Sequence, residues 1–166
     1  MTDVESAARQ LKRMEHYGMR YVEHQKSIKH AERAQNLIKM QIAQALETNP
    51  KHTPNDYQFL IDIAGLIIAA RRSLSYTYAI RFFLTGKNRQ AFFDFIQGDL
   101  ENSLEALNKK MEDNWLNHVE YDTQGKMVLS QKFIRFKETV TTLREVVERH
   151  FNYTMKEIML GLPSIE

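Results

Sequence analysis

The sequence predicts an all-α fold, an extended bundle of about four long helices, on three observations. Apolar residues recur every three or four positions over long stretches, the period of a helix with one buried face. Only six glycines and three prolines occur among 166 residues, and they fall where helices should stop rather than inside periodic segments. No run alternates apolar and polar residues around a hairpin signal, and there is no internal repeat or low-complexity tract.

The first block carries Met14, Tyr17, Tyr21, His24, Ile28, Ala31, Gln35, Ile38, Ile42 and Ala45 at alternating spacings of three and four, the seam of a coiled-coil-like helix. A helix of about 40 residues ending near Thr48-Asn49-Pro50 follows. The second block opens on a start signal in which Thr53 caps, Pro54 takes the first helical position and Asp56 complements the positive helix end. From Tyr57 to Leu84 apolar residues cover almost every side until Arg71, so this is the central, most enclosed helix, with Tyr76 and Tyr78 both buried against different neighbours. Thr85-Gly86-Lys87-Asn88 breaks it. The third block, Arg89 to His118, begins with Phe92, Phe93 and Phe95 and continues through Leu100, Leu104, Leu107, Met111 and Trp115, with Gly98 as a point of kinking or interruption. Glu120 to Lys126 reads as a loop. A fourth helix follows on Phe133, Phe136, Val140, Leu143, Val147, Phe151 and Ile158, closed by Gly161-Leu162-Pro163.

Composition bounds the function. At 43% hydrophobic and 27% charged, residues 1-166 suffice for a single domain with a substantial core. A net charge of +2, from 23 basic and 21 acidic residues, lacks the excess of a nucleic-acid or anionic-membrane binder. The absence of cysteine excludes disulfides, thiolate metal sites and a cysteine nucleophile, and suits an intracellular protein. No signal peptide is visible, and the most apolar run, Phe59 to Ala70, contains Asp62 and is too short to span a bilayer, which takes about 20 residues.

Enzymatic constellations are missing. A di-metal bundle wants Glu-x-x-His on two helices, and none occurs; His16, His24, His30, His52, His118 and His150 are scattered, with no pair four residues apart. Phosphate-cradling glycine loops and the serine nucleophile elbow are absent too. Arg71-Arg72 with Tyr76 and Tyr78 offer the charge and the rings for phosphate or RNA contact, yet the helix is too apolar to be a solvated platform. The plainer reading is that the arginines pair with carboxylates, Asp99 or Glu101 being the expected partners, which would pin the second helix to the third. Between Asp94 and Asp122 eight acids face only Lys109 and Lys110. Glu101, Glu105 and Glu112 share a helix face there, either a stripe for a basic partner or an ordinary solvated face.

Three stretches together resemble the Ariadne domain, the C-terminal module of Ariadne-type RING-between-RING ubiquitin ligases. The first is Tyr17, Arg20, Tyr21, His24, Gln25, Ser27, Ile28 and Lys29. The second is Ala70-Arg71-Arg72-Ser73-Leu74-Ser75-Tyr76-Thr77-Tyr78 with Phe82-Phe83-Leu84. The third is Phe93-Asp94-Phe95-Ile96-Gln97-Gly98-Asp99-Leu100-Glu101-Asn102. Their order and spacing agree with the family across roughly residues 10 to 160.

The resemblance implies a division of labour. In such ligases a RING domain recruits the ubiquitin-loaded conjugating enzyme, and a cysteine in the final zinc domain takes ubiquitin as a thioester. A chain without cysteine cannot supply that nucleophile. It is therefore expected to be a non-enzymatic, excised C-terminal piece of a longer ligase, with Met1 a cloning start and zinc confined to the missing RING, IBR and catalytic domains. In the family the Ariadne domain occludes the catalytic domain in cis until a neddylated cullin-RING ligase binds, a population shift between closed and open states. Residue by residue, the family's lid glutamate on the third helix is matched by Glu105. Its adjacent Phe-Glu pair falls on His30 and Ala31, and Glu32 lies one residue late, rotated about 100°. The implied partners are the catalytic zinc domain, a cullin-RING ligase and a conjugating enzyme, with no nucleic acid and no membrane. The implied location is cytoplasmic, extending to the nucleus. The alternative is a free-standing helical scaffold or membrane-surface module without a ubiquitin role; the first block offers it only nine Lys or Arg against six acids.

Overall fold

Why one helix runs so far before the chain turns is a matter of missing breakers. In the computed structural model, which describes residues 2–161, α1 spans Asp3–Thr48, 46 residues. Thr2 opens it with a capping box: its hydroxyl accepts from the Glu5 amide, and the Glu5 carboxylate accepts from the Thr2 amide. It ends where the Asn49 side chain donates to the Ala45 carbonyl at 2.8 Å and Pro50 cannot continue the ladder. A single 3-10 turn, Pro54–Asp56, precedes α2, Gln58–Phe83. The Thr53 amide donates to the Asp56 carboxylate at 2.8 Å, so the expected start signal is present but builds that turn, and the α-helix begins at Gln58. Then come α3, Lys87–Glu112, a second 3-10 turn, Trp115–His118, and α4, Gln131–Met159.

The all-α bundle is the observed architecture. Helix α1 packs chiefly along α2, α3 along α4, and α2 joins the two pairs. The core follows from that: Leu60, Ile63 and Leu74 of α2 meet Leu100, Leu104 and Leu107 of α3 and Val140 and Val147 of α4, all without exposure. One end is an aromatic knot in which Trp115 lies 5.3 Å from Tyr57 and 6.3 Å from Phe133, ring centre to ring centre. Burial pushes the Tyr57 phenol up to about 12. At the other end Phe93 and Ile96 form a smaller cluster with Ile80, Leu84 and Ile158.

Several expectations are corrected. Gly18, Gly65 and Gly98 lie inside α1, α2 and α3 rather than at helix ends, and α3 runs unbroken through Gly98. The segment read as a loop holds a two-residue hairpin, Glu120 to Tyr121 paired antiparallel with Met127 to Val128. Gly125, at φ 76°, takes its positive turn. Tyr76 is not buried: its ring is 59% exposed and only edges Tyr21, while Tyr78 is 4% exposed. Their side chains point about 200° apart on the helix, and α2 is covered by neighbours on Tyr78's side alone at that level. Met14 is also exposed, because α2 ends at Phe83, where Arg13 donates to the Phe82 carbonyl. The first turns of α1 therefore project past their partner. Leu162 and Pro163, read as the stop of the last helix, and Met1 lie outside the described residues.

Three helices meet at Glu101. Its carboxylate accepts from Arg20 of α1 at 2.9 Å and from the Tyr78 hydroxyl of α2. His24 of α1, 5% exposed and stacked on Tyr78, approaches it at 3.6 Å. Contact with His24, then Tyr78 and Arg20, holds this carboxyl below its ordinary value against the opposing effect of burial. A depressed carboxyl stabilises the fold above its unfolded value, and that contribution disappears as pH falls through the folded value. Urea unfolding of the wild type is expected to lose stability steadily below about pH 4.5, the carboxylate reference, and Glu101→Gln should be less stable at neutral pH with a shallower acid limb. Gly98→Ala, at a helical site where a Cβ meets nothing within 4 Å, should add about 0.5–1 kcal/mol, read as a rise in melting temperature.

Candidate docking surface

Two adjacent arginines of α2 reach acids on both neighbouring helices. Arg71 and Arg72, adjacent on a helix, diverge by about 100°, and each finds an acid on a different neighbour. Arg71 is 7% exposed and reaches Glu105 of α3 at 3.3 Å. Arg72 stands at the surface and reaches Glu32 of α1 at 2.9 Å. The expected partners were Asp99 and Glu101, and both are displaced. Glu101 is taken by Arg20 and Tyr78, and Asp99 is half-buried without an ion-pair partner among the described residues. The pinning of α2 to α3 exists, but one helical turn further along, at Glu105.

Glu105 is a surface residue, its side chain 56% exposed, yet it is not idle in the isolated domain: Oε1 accepts from Arg71, and Oε2 has no partner among the described residues. His30 is exposed and Ala31 is buried at 7%. Ala31 is thus part of the core rather than a residue presented on the surface, because it lies on the seam that packs against α2. Glu32, rotated one position on, points to Arg72.

Between α1 and α3 a groove of about 380 Å³ opens. His30, Leu37 and Gln41 form its α1 side, Ala64 and Ile67 of α2 its floor, and Asn108, Met111 and Trp115 its far side. Small residues make it: Ala31, Ala34 and Ala64 leave space that larger side chains would fill. The indole of Trp115 donates to Gln41 Oε1 at 2.9 Å and closes one end. The sequence offered no signal for this cavity, since its walls come from separate helices. Among the described residues no group of His, Cys, Asp and Glu is placed to hold a metal ion, and no helix is long and apolar enough to cross a membrane.

The model of the Ariadne domain matches residues 12–155. The chain belongs to the Ariadne domain family. A probable E3 ubiquitin-protein ligase of Arabidopsis thaliana, ARI10, is 30% identical over 157 residues, covering 94% of this chain and 30% of that protein. The E3 ubiquitin-protein ligase ariadne-1 of Drosophila melanogaster is 30% identical over 104 residues, 61% of this chain and 20% of that protein. A potential E3 ubiquitin-protein ligase of Caenorhabditis elegans, ariadne-2, is 32% identical over 101 residues, 61% of this chain and 21% of that protein. The chain thus spans about 30% of the length of the Arabidopsis relative. This Ariadne domain carries no cysteine, so thioester chemistry is outside its own reach.

The two arginine contacts should differ in weight. Arg72→Ala removes an exposed pair and is expected to change unfolding free energy by less than ~1 kcal/mol. Glu105→Ala leaves the Arg71 guanidinium nearly buried without its acceptor and should cost about 1–2 kcal/mol, reduced from the fully buried case by the solvent around Glu105. Urea titrations of both variants in the same buffer measure the contrast.

Proposed function

We propose that this Ariadne domain restrains a ubiquitin ligase, docking on the catalytic zinc domain of a longer RING-between-RING polypeptide and releasing it when a neddylated cullin-RING ligase binds. What carries the reading is the pair of solvent-facing carboxylates, Glu32 of α1 and Glu105 of α3, held by adjacent arginines of α2 in a member of the Ariadne family. Tethering by Arg71 and Arg72 fixes both acids before any partner arrives, which lowers the entropic cost of docking. His30, two residues before Glu32, opens onto the groove between α1 and α3 and adds a polar contact where the family places an aromatic one. Ala31 contributes shape from the groove wall. The parent protein would be the E3 ubiquitin transferase, with zinc and the catalytic cysteine in its other domains and a conjugating enzyme as donor.

Restraint of this kind is a balance between a docked and a free state, and the weakening of one docked contact shifts it in proportion to the energy lost. Glu105→Ala in the full-length ligase should raise basal discharge of ubiquitin from the loaded conjugating enzyme, without any cullin, by up to about tenfold, since one charged hydrogen bond is worth roughly 1.5 kcal/mol. Because that variant also frees Arg71, His30→Asp supplies a second perturbation at an exposed residue with no internal hydrogen bond. Melting temperatures accompany both. Unchanged discharge by both variants, with the fold intact, would reject the restraint.

A further inference from the structure

The groove is electrically lopsided in a way that the domain's own contacts leave unused. On its α3 side the lining acid, Glu112, accepts from Asn108 at 3.0 Å, and Glu105, outside the lining, accepts from Arg71. On α1, Lys26, Lys29 and Arg33 are exposed, and none has an ion-pair or hydrogen-bond partner among the described residues. The acids nearest them in sequence are occupied, Glu23 by Arg20 and Glu32 by Arg72. The three cations follow one another at spacings of three and four, so they lie along one helix face. That face continues at the same spacing into Leu37 and Met40, 47% and 64% exposed. Arg33 and Leu37 stand on the lip of the cavity, above Ile67, Met111 and Trp115.

We propose that this groove binds an amphipathic helix of a protein partner, whose apolar side chains enter the cavity and whose acidic edge lies along Lys26, Lys29 and Arg33. The cavity's 380 Å³ is the size of a small binding pocket, with room for two or so Leu-sized side chains. From His30 to Gln41 the α1 wall rises about 17 Å, three turns of a facing helix, which matches anchors at i, i+4 and i+7. Charge sets the orientation: an acidic edge meets three unpaired cations on α1, and Glu112 across the groove keeps that edge on the α1 side. A membrane is the weaker fit, because the apolar groups line a recess, and the acids of α3 across it oppose an anionic surface.

The chain has one tryptophan, and it lines the cavity, so its fluorescence reports occupancy. The probe is a synthetic helix of about 18 residues, roughly 27 Å long, with Leu anchors on one face and glutamates along one edge. A second peptide replaces those glutamates by lysines. The acidic-edged peptide should give a saturable change in Trp115 emission. Binding should weaken about tenfold or more in the Lys29→Glu, Arg33→Glu double variant and fall at roughly 0.5 M salt. Ala34→Phe, which fills the recess from the α1 side, should abolish it. Arg33→Ala, at an exposed residue without a partner, keeps the test open if the double variant does not fold, and circular dichroism checks each. Equal response to both peptides, or none from the folded wild type, overturns the proposal. So does co-sedimentation with phosphatidylserine vesicles without peptide binding. The readout involves no ubiquitin transfer, so its failure leaves the restraint reading standing, and the reverse holds too.

Discussion

The bundle depends on covering α2. A helix that is apolar on nearly every side for most of its length has to be enclosed by neighbours, and here α1, α3 and α4 all contribute to that enclosure. The charges that α2 does carry then choose their positions around it. Arg71 must find an acid because its guanidinium is almost wholly removed from water. It draws Glu105, and its neighbour in sequence draws Glu32. Two surface carboxylates are thereby fixed from beneath by a helix whose main task is hydrophobic.

A second set of contacts works about two turns further along α2, at Tyr78. Glu101 collects Arg20, His24 and Tyr78 from two other helices, and it is the half-buried acid of the pair while Glu105 is the exposed one. These two glutamates stand one helical turn apart on α3 and serve different ends. One locks helices together where the packing is closed. The other faces solvent, held by Arg71, and the groove between α1 and α3 opens further along. The separation has a simple origin in small side chains at Ala31, Ala34 and Ala64, which leave unfilled space over α2.

An asymmetric surface follows from this arrangement. Glu105 on α3 and Glu32 on α1 are paired from within, while Lys26, Lys29 and Arg33 along α1 are not, so the domain presents an unsatisfied positive edge beside an apolar recess. The relatives of this Ariadne domain are E3 ubiquitin ligases, and restraint of such a ligase is the role we propose for its surface.

Helix periodicity, the missing breakers and the capping chemistry around Thr53 to Asp56 were enough, read as sequence, to predict four long helices and the enclosure of α2. They are local signals, set by the spacing of residues within one element. Glycine misled, because Gly18, Gly65 and Gly98 are each tolerated inside a helix at a cost that surrounding packing offsets. The burial of Tyr78 was legible and the exposure of Tyr76 was not, since only the position of neighbouring helices decides which side of α2 is covered. That Arg71 needs an acid was likewise a property of the sequence. Which acid answers it depends on how far α3 slides along α2, a single turn separating Glu101 from Glu105. The groove was decided entirely by tertiary structure, because a void is a relation between surfaces of separate helices and no stretch of chain encodes it alone.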